Sequence, residues 1–241
     1  NRMNDKKTFS QIGLTMLIAT ALINIVQYWA MLIAKNIPAI SSNVDLYFLV
    51  CMLPMYVIAY PIVFAQFKKI PVQLTGEKKK MPTRHLVKAS VMCYAISMVF
   101  NLLGSAVTGI IGAMKQDAVE NVVVNITSNV GPATNFLFFV ICAPIFEELL
   151  FRKAIISRIS KYGDGIALVF SALIFGLFHG NLLQGGYAFI MGLFLGYVFI
   201  KTGKIIYSIV MHMFVNFVGS FVGPFLMNIT NYAEYQHHHL I

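Results

Sequence analysis

The chain has 241 residues, 58% of them hydrophobic and only 11% charged, with a net charge of +9. Soluble domains carry about 25% charged and about 45–50% apolar residues, so the composition excludes an ordinary soluble enzyme and predicts a membrane protein. The basic excess then reads as the positive charge that gathers in cytoplasmic loops, and nucleic acid is not expected as a partner.

Several apolar runs reach the roughly 20 residues needed to cross a hydrocarbon core of about 30 Å. In chain order they predict an all-α, polytopic membrane bundle of seven helices. The first, about Phe9–Ala34, follows a basic start as a signal peptide would. It is too long for a signal core and lacks a small-x-small cleavage site, so it reads as a retained helix. Met3 reads as the native start. The second span is about Leu46–Phe67. A basic stretch, Lys68 to Arg84, follows, with Pro71 and Pro82 as breakers. The third is about His85–Met114, and the polar connection Lys115–Pro132 after it has room for a short interfacial piece. The fourth, about Ala133–Lys161, is stopped by Gly163-Asp164-Gly165. The fifth is about Ile166–His179, and the sixth, about Leu182–Lys201, ends at Thr202-Gly203. The seventh, about Lys204–Val222, is stopped by Gly223-Pro224, with an eighth short helix from Pro224 onward left open. The run His237 to His239 reads as part of a tag and is assigned no function. No linker or repeat divides the chain, so residues 1–241 form one membrane-embedded domain: helices 1–3 over about 1–130, helices 4–7 over about 131–222.

Charge tests the topology. With a cytoplasmic N-terminus, sixteen of the eighteen basic residues fall on the inner side, and only Lys35 and Lys115 lie outside. The cysteines Cys51, Cys93 and Cys142 all sit in apolar runs as small packing residues, without metal or disulfide spacing.

Ionisable groups inside a membrane are costly and mark function by default. Of nine acidic residues, seven lie in loops, ends or turns; only Glu147 and Glu148 interrupt an apolar run, between Phe136 and Phe151. His179 and His212 lie in or at the ends of other apolar runs. Glu148 and Arg152 are i and i+4, so they share a face and can pair, bidentately in a low-dielectric site. Glu147 lies about 100° round the helix and is left to face something else. Phe175 and His179, and His212 and Asn216, repeat the one-turn spacing. Glu147 lies 16 residues before Gly163 and His179 lies 16 after it, so antiparallel helices turning there would bring the two level.

Taken singly, each group has a plainer reading. Glu148–Arg152 suits a structural ion pair, His179 a capping residue, His212 with Asn216 interhelical hydrogen bonding, and Phe175 core packing. Together they are the parts of a water-activating site. Glu147 would act as general base on a water held with His179, and His212 and Asn216 would donate to the oxyanion of the tetrahedral intermediate. Glu147, His179 and His212 could instead ligate zinc, although no HExxH helix is present. Otherwise no cofactor is expected.

These residues resemble the three motifs of the CPBP family, the CAAX proteases and bacteriocin-processing enzymes also called Abi. EExxxR is Glu147-Glu148-Leu-Leu-Phe-Arg152, FxxxH is Phe175-Gly-Leu-Phe-His179, and HxxxN is His212-Met-Phe-Val-Asn216. The resemblance covers about Phe136 to Phe217. It implies an intramembrane peptidase of the Ras-converting endopeptidase type, in which the first glutamate activates water, the histidine of the second motif assists, and the third motif forms the oxyanion site. The expected partners are membrane lipid and a peptide or membrane-protein substrate, such as a pheromone or bacteriocin precursor. The expected location is a bacterial cytoplasmic membrane. The family's non-enzymatic roles, bacteriocin self-immunity and membrane scaffolding, form the second function class, and a transporter with a midplane carboxylate forms a third.

Overall fold

Prolines shape this fold more by widening helices than by ending them. The computed structural model describes residues 2–72, 79–115 and 129–226. Their long helices are α1 (Arg2–Lys35), α2 (Val44–Phe67), α3 (Thr83–Lys115), α4 (Pro132–Tyr162), α5 (Asp164–Phe178), α6 (Leu182–Thr202) and α7 (Ile205–Leu226), with one short turn of helix, Pro38–Ser41, between α1 and α2. Pro61, Pro144 and Pro224 lie inside α2, α4 and α7. Each stands two residues after a π-helical stretch: Met55–Ala59, Phe136–Cys142 and Val218–Val222. Proline lacks an N–H and its ring crowds the carbonyl four residues back. A turn closed by i→i+5 bonds accommodates both defects and keeps the helix continuous, which matters in lipid, where freed backbone groups find no water. The expected stop at Gly223-Pro224 is therefore corrected: α7 runs through it to Leu226. Residues 227–241, with the histidine run and any eighth helix, lie outside the described residues, as does the interfacial piece expected between Lys115 and Pro132.

Among the described residues six helices are long and apolar enough to cross a membrane, which makes this an all-α, multi-pass bundle. The seventh expected span, α5, is present but has only 15 residues, roughly 22 Å at about 1.5 Å per residue, short of a hydrocarbon core of about 30 Å. Its ends are set by Gly163 (φ 111°) and Gly180 (φ 70°), in backbone conformations that favour glycine. His179 therefore stands at the turn between this short helix and α6. Small residues let the two helices pack tightly. A Cβ on Gly176 would lie 2.8 Å from the Gly185 carbonyl oxygen, and one on Gly192 would lie 3.1 Å from the Phe175 ring.

Burial ranks the helices. In their apolar windows α6 and α4 bury 44% and 39% of residues, against 17% for α3 and 22% for α1. So α4 and α6 are central, and α1 and α3 turn apolar side chains such as Leu17, Trp29, Leu102 and Met114 outward, a surface suited to lipid contact. At one end Asn43 caps α2 by accepting from the Leu46 N–H, and the Gly131 N–H before α4 donates to Asp45 at 2.8 Å. At the other end, the strand of chain entering α3 docks on the α6–α7 turn through the Lys79 N–H to the Thr202 carbonyl and the Met81 N–H to the Tyr207 hydroxyl.

Candidate active site

α4 carries the acidic pair where its winding changes. Ala143–Glu148 is α-helical and Leu149–Ile156 is π-helical; such widened turns are frequent at functional sites. Interhelical bonds land on carbonyls of the widened stretches. Asn216 of α7 donates its side-chain amide to the Phe139 carbonyl at 2.8 Å, and the Ser171 hydroxyl of α5 donates to the Phe151 carbonyl at 2.9 Å.

The two glutamates are separated by their partners. Glu148 is fully buried and lies 3.1 Å from the Arg152 Nε. That contact is an ion pair without good hydrogen-bond alignment, for neither Glu148 Oε2 nor any Arg152 nitrogen meets hydrogen-bond geometry. Arg152 gains instead from the face of Phe175, whose ring centroid is 4.7 Å from the guanidinium carbon. The other carboxylate oxygen of Glu148 accepts a 3.0 Å hydrogen bond from His212 Nδ1. Glu147 keeps 17% of its side-chain surface exposed, and its only ion-pair contact among the described residues is His212 Nε2 at 3.7 Å, beyond hydrogen-bond distance. His212, itself 2% exposed, thus stands between both carboxylates.

The second motif joins through Phe175. This fully buried ring meets His179 edge-on at 4.8 Å, His212 at 5.8 Å and Phe151 at 4.9 Å. The His179 Nδ1 hydrogen-bonds the Phe175 carbonyl at 2.8 Å; since a carbonyl only accepts, Nδ1 carries the proton and Nε2 presents its lone pair in the neutral ring.

The structure therefore gathers Glu147, Glu148, Arg152, Phe175 and His212 directly, with His179 against Phe175 and Asn216 one turn beyond His212. Two details differ from the sequence reading. The His212 Nδ1 proton is committed to Glu148 and one Asn216 N–H to Phe139, so the expected oxyanion donors are partly engaged with protein. Nor do Glu147, His179 and His212 form a zinc set: among the described residues no three His, Cys, Asp or Glu side chains are arranged to hold a metal ion.

Other site residues carried no motif. Tyr56 and Tyr60 of α2 pack on Phe146 at 4.9 and 5.1 Å, and with Tyr187 of α6 they lie within electrostatic range of Glu147. Ser171 was legible in principle, since Ser171, Phe175 and His179 mark three successive turns of one face. Tyr56 and Tyr60 show the same one-turn spacing.

Residues 129–218, which contain all three motifs, match the family model described as type II CAAX prenyl endopeptidase Rce1-like. Over 204 residues the chain is also 27% identical to the membrane-embedded CAAX protease MroQ of Staphylococcus aureus (strain USA300), covering 79% of this chain and 81% of that protein. No solved structure matches the chain. The chain is therefore similar to Rce1-like endopeptidases over residues 129–218 and to a membrane-embedded CAAX protease over most of its length, and the buried acidic and histidine residues lie in the region common to both matches.

Proposed function

We propose that this chain is a glutamate-type intramembrane endopeptidase of the CPBP, or Abi, kind that hydrolyses a peptide bond in a membrane-associated peptide or protein precursor. The observation that carries this reading is the division of labour between adjacent glutamates. Glu148 is fully buried against Arg152 and His212 at 3.1 and 3.0 Å, whereas Glu147 is partly exposed and, among the described residues, reaches only His212, at 3.7 Å. A carboxylate left so in a low-dielectric site is free to take a proton.

In this mechanism Glu147 removes a proton from water, and the hydroxide attacks the scissile carbonyl carbon. The lone pair on His179 Nε2 orients that water. The second Asn216 N–H, and His212 when doubly protonated, donate to the oxyanion. Glu147 then returns its proton to the leaving amine. Glu148, Arg152 and Phe175 hold His212 and His179 in place. The similarity to a bacterial CAAX protease and the charge asymmetry favour a bacterial cytoplasmic membrane with the N-terminus inside, and a pheromone or bacteriocin precursor as substrate.

Replacing Glu147 by Gln keeps its size and removes its basicity. Cleavage of a precursor peptide in proteoliposomes should fall about 100-fold or more and be insensitive to chelator in the parent protein. Activity surviving E147Q would sink the glutamate mechanism. Loss to chelator with rescue by zinc would favour a metal mechanism, and an immunity phenotype unchanged by E147Q would favour a non-enzymatic role.

A further inference from the structure

A second concentration of charge lies at the end of the bundle where α1 begins and α2 and α4 finish. A cleft of about 220 Å³ opens there, with Lys7, Gln11, Lys69 and Arg158 in its lining and no carboxylate among the described residues that line it. Its wall includes Arg158, which is only 7% exposed. Arg158 Nε donates to the Phe67 and Ile70 carbonyls, both at 2.9 Å, and Nη1 donates to the Ala154 carbonyl at 2.9 Å. The Phe67 ring lies 5.6 Å from the guanidinium carbon. Every one of these partners is a neutral dipole or a ring, so the guanidinium is held in place while no carboxylate among the described residues answers its unit charge. A buried charge without a counter-charge is costly. Among the described residues Lys69 likewise bonds only the neutral Gln66 side chain, at 2.8 Å.

We propose that this cleft binds a phosphate-bearing anion, and that an anionic phospholipid headgroup is its source. The Nη2 group of Arg158, which no described residue engages, can donate to phosphate oxygens, and Lys7 and Lys69 add the attraction of basic residues to an anionic leaflet. The position favours lipid over a soluble ligand, because the cleft sits where membrane-crossing helices reach the surface, on the side carrying most of the basic residues.

The test uses the full chain in neutral detergent micelles doped with phosphatidylglycerol or phosphatidylcholine, or supplied with sodium phosphate against sodium chloride at equal ionic strength. Saturating phosphatidylglycerol should raise Tm by about 5 °C over phosphatidylcholine. Arg158 also ties α2 to α4, so the informative variant is the exposed pair K7Q/K69Q. It should fold, elute as the parent does, and need about tenfold more phosphatidylglycerol for half its effect. The pair K79Q/K80Q, exposed at the same end and outside the cleft, removes equal charge and should behave as the parent. Stabilisation by inorganic phosphate with nothing added by phosphatidylglycerol would overturn the lipid source and keep the phosphate site. No stabilisation by either, or an equal loss in K79Q/K80Q, would overturn the site itself.

Discussion

Two arginines six residues apart on α4 solve the burial of a guanidinium in opposite ways. Arg152, with no exposed surface, faces the Glu148 carboxylate and the Phe175 ring. Arg158, almost as buried, faces four backbone carbonyls and the Phe67 ring. The first arrangement is electrically closed: Arg152 answers Glu148 and Glu148 fixes His212, which leaves Glu147, the proposed base, partly exposed beside them. The second is open, with its charge directed to whatever enters the cleft. A carboxylate partner thus marks a group retained for the interior of the site, and carbonyl partners mark one retained for a ligand from outside.

The largest effect should follow from breaking the closed arrangement. Glu148→Ala strands both Arg152 and His212 in the core. Removing one member of a buried pair costs about 3–5 kcal/mol, so Tm in detergent should fall by about 10 °C and cleavage should be lost. Adding Arg152→Met removes the stranded charge and should restore most of the Tm without restoring cleavage, because His212 still lacks its Nδ1 acceptor. If the double variant regained activity, Glu148 and Arg152 would be dispensable to the chemistry.

Arg158→Met should cost less. It strands no acid, and it leaves carbonyl oxygens beside a cleft that water can enter. A loss of about 2 kcal/mol, or about 5 °C in Tm, is expected from thermal unfolding. A fall matching that of Glu148→Ala would mean that Arg158 answers an acid after all, and the contrast between the two arginines would fail.

What was legible in the sequence divides along the same line. The Glu148–Arg152 pair could be read because both partners lie on one helix, where spacing alone sets geometry. The link from His212 to Glu148 spans 64 residues and depends on how α7 packs on α4, which no local pattern encodes. His212 was accordingly expected to serve the oxyanion and is found tied to Glu148 as well. The helix order was legible from apolar runs, and α5 was already the shortest of them. Pro224 was misread because a missing N–H looks the same in sequence whether a helix stops or widens; in lipid, where freed carbonyls lack water, widening is cheaper. Arg158 gave no signal beyond one more basic residue, since its partners are main-chain atoms.

The smallest expected effect probes whether the widened winding of α4 serves the site. The Ser171 hydroxyl, 1% exposed, is the α5 group that bonds the Phe151 carbonyl inside Leu149–Ile156. Ser171→Ala removes one neutral hydrogen bond and should cost about 1 kcal/mol, seen as a Tm loss of about 3 °C. Its kinetic signature is the sharper readout. Ser171 lies two turns before His179 and one before Phe175, so the bond sets the register of α5 against the segment holding Arg152. If register positions His179, kcat should fall several-fold with KM unchanged, as for a group felt mainly in the transition state. A Tm loss with unaltered kcat would instead make the bond a packing contact, and the wide turn a device for seating helices rather than for aiming the site.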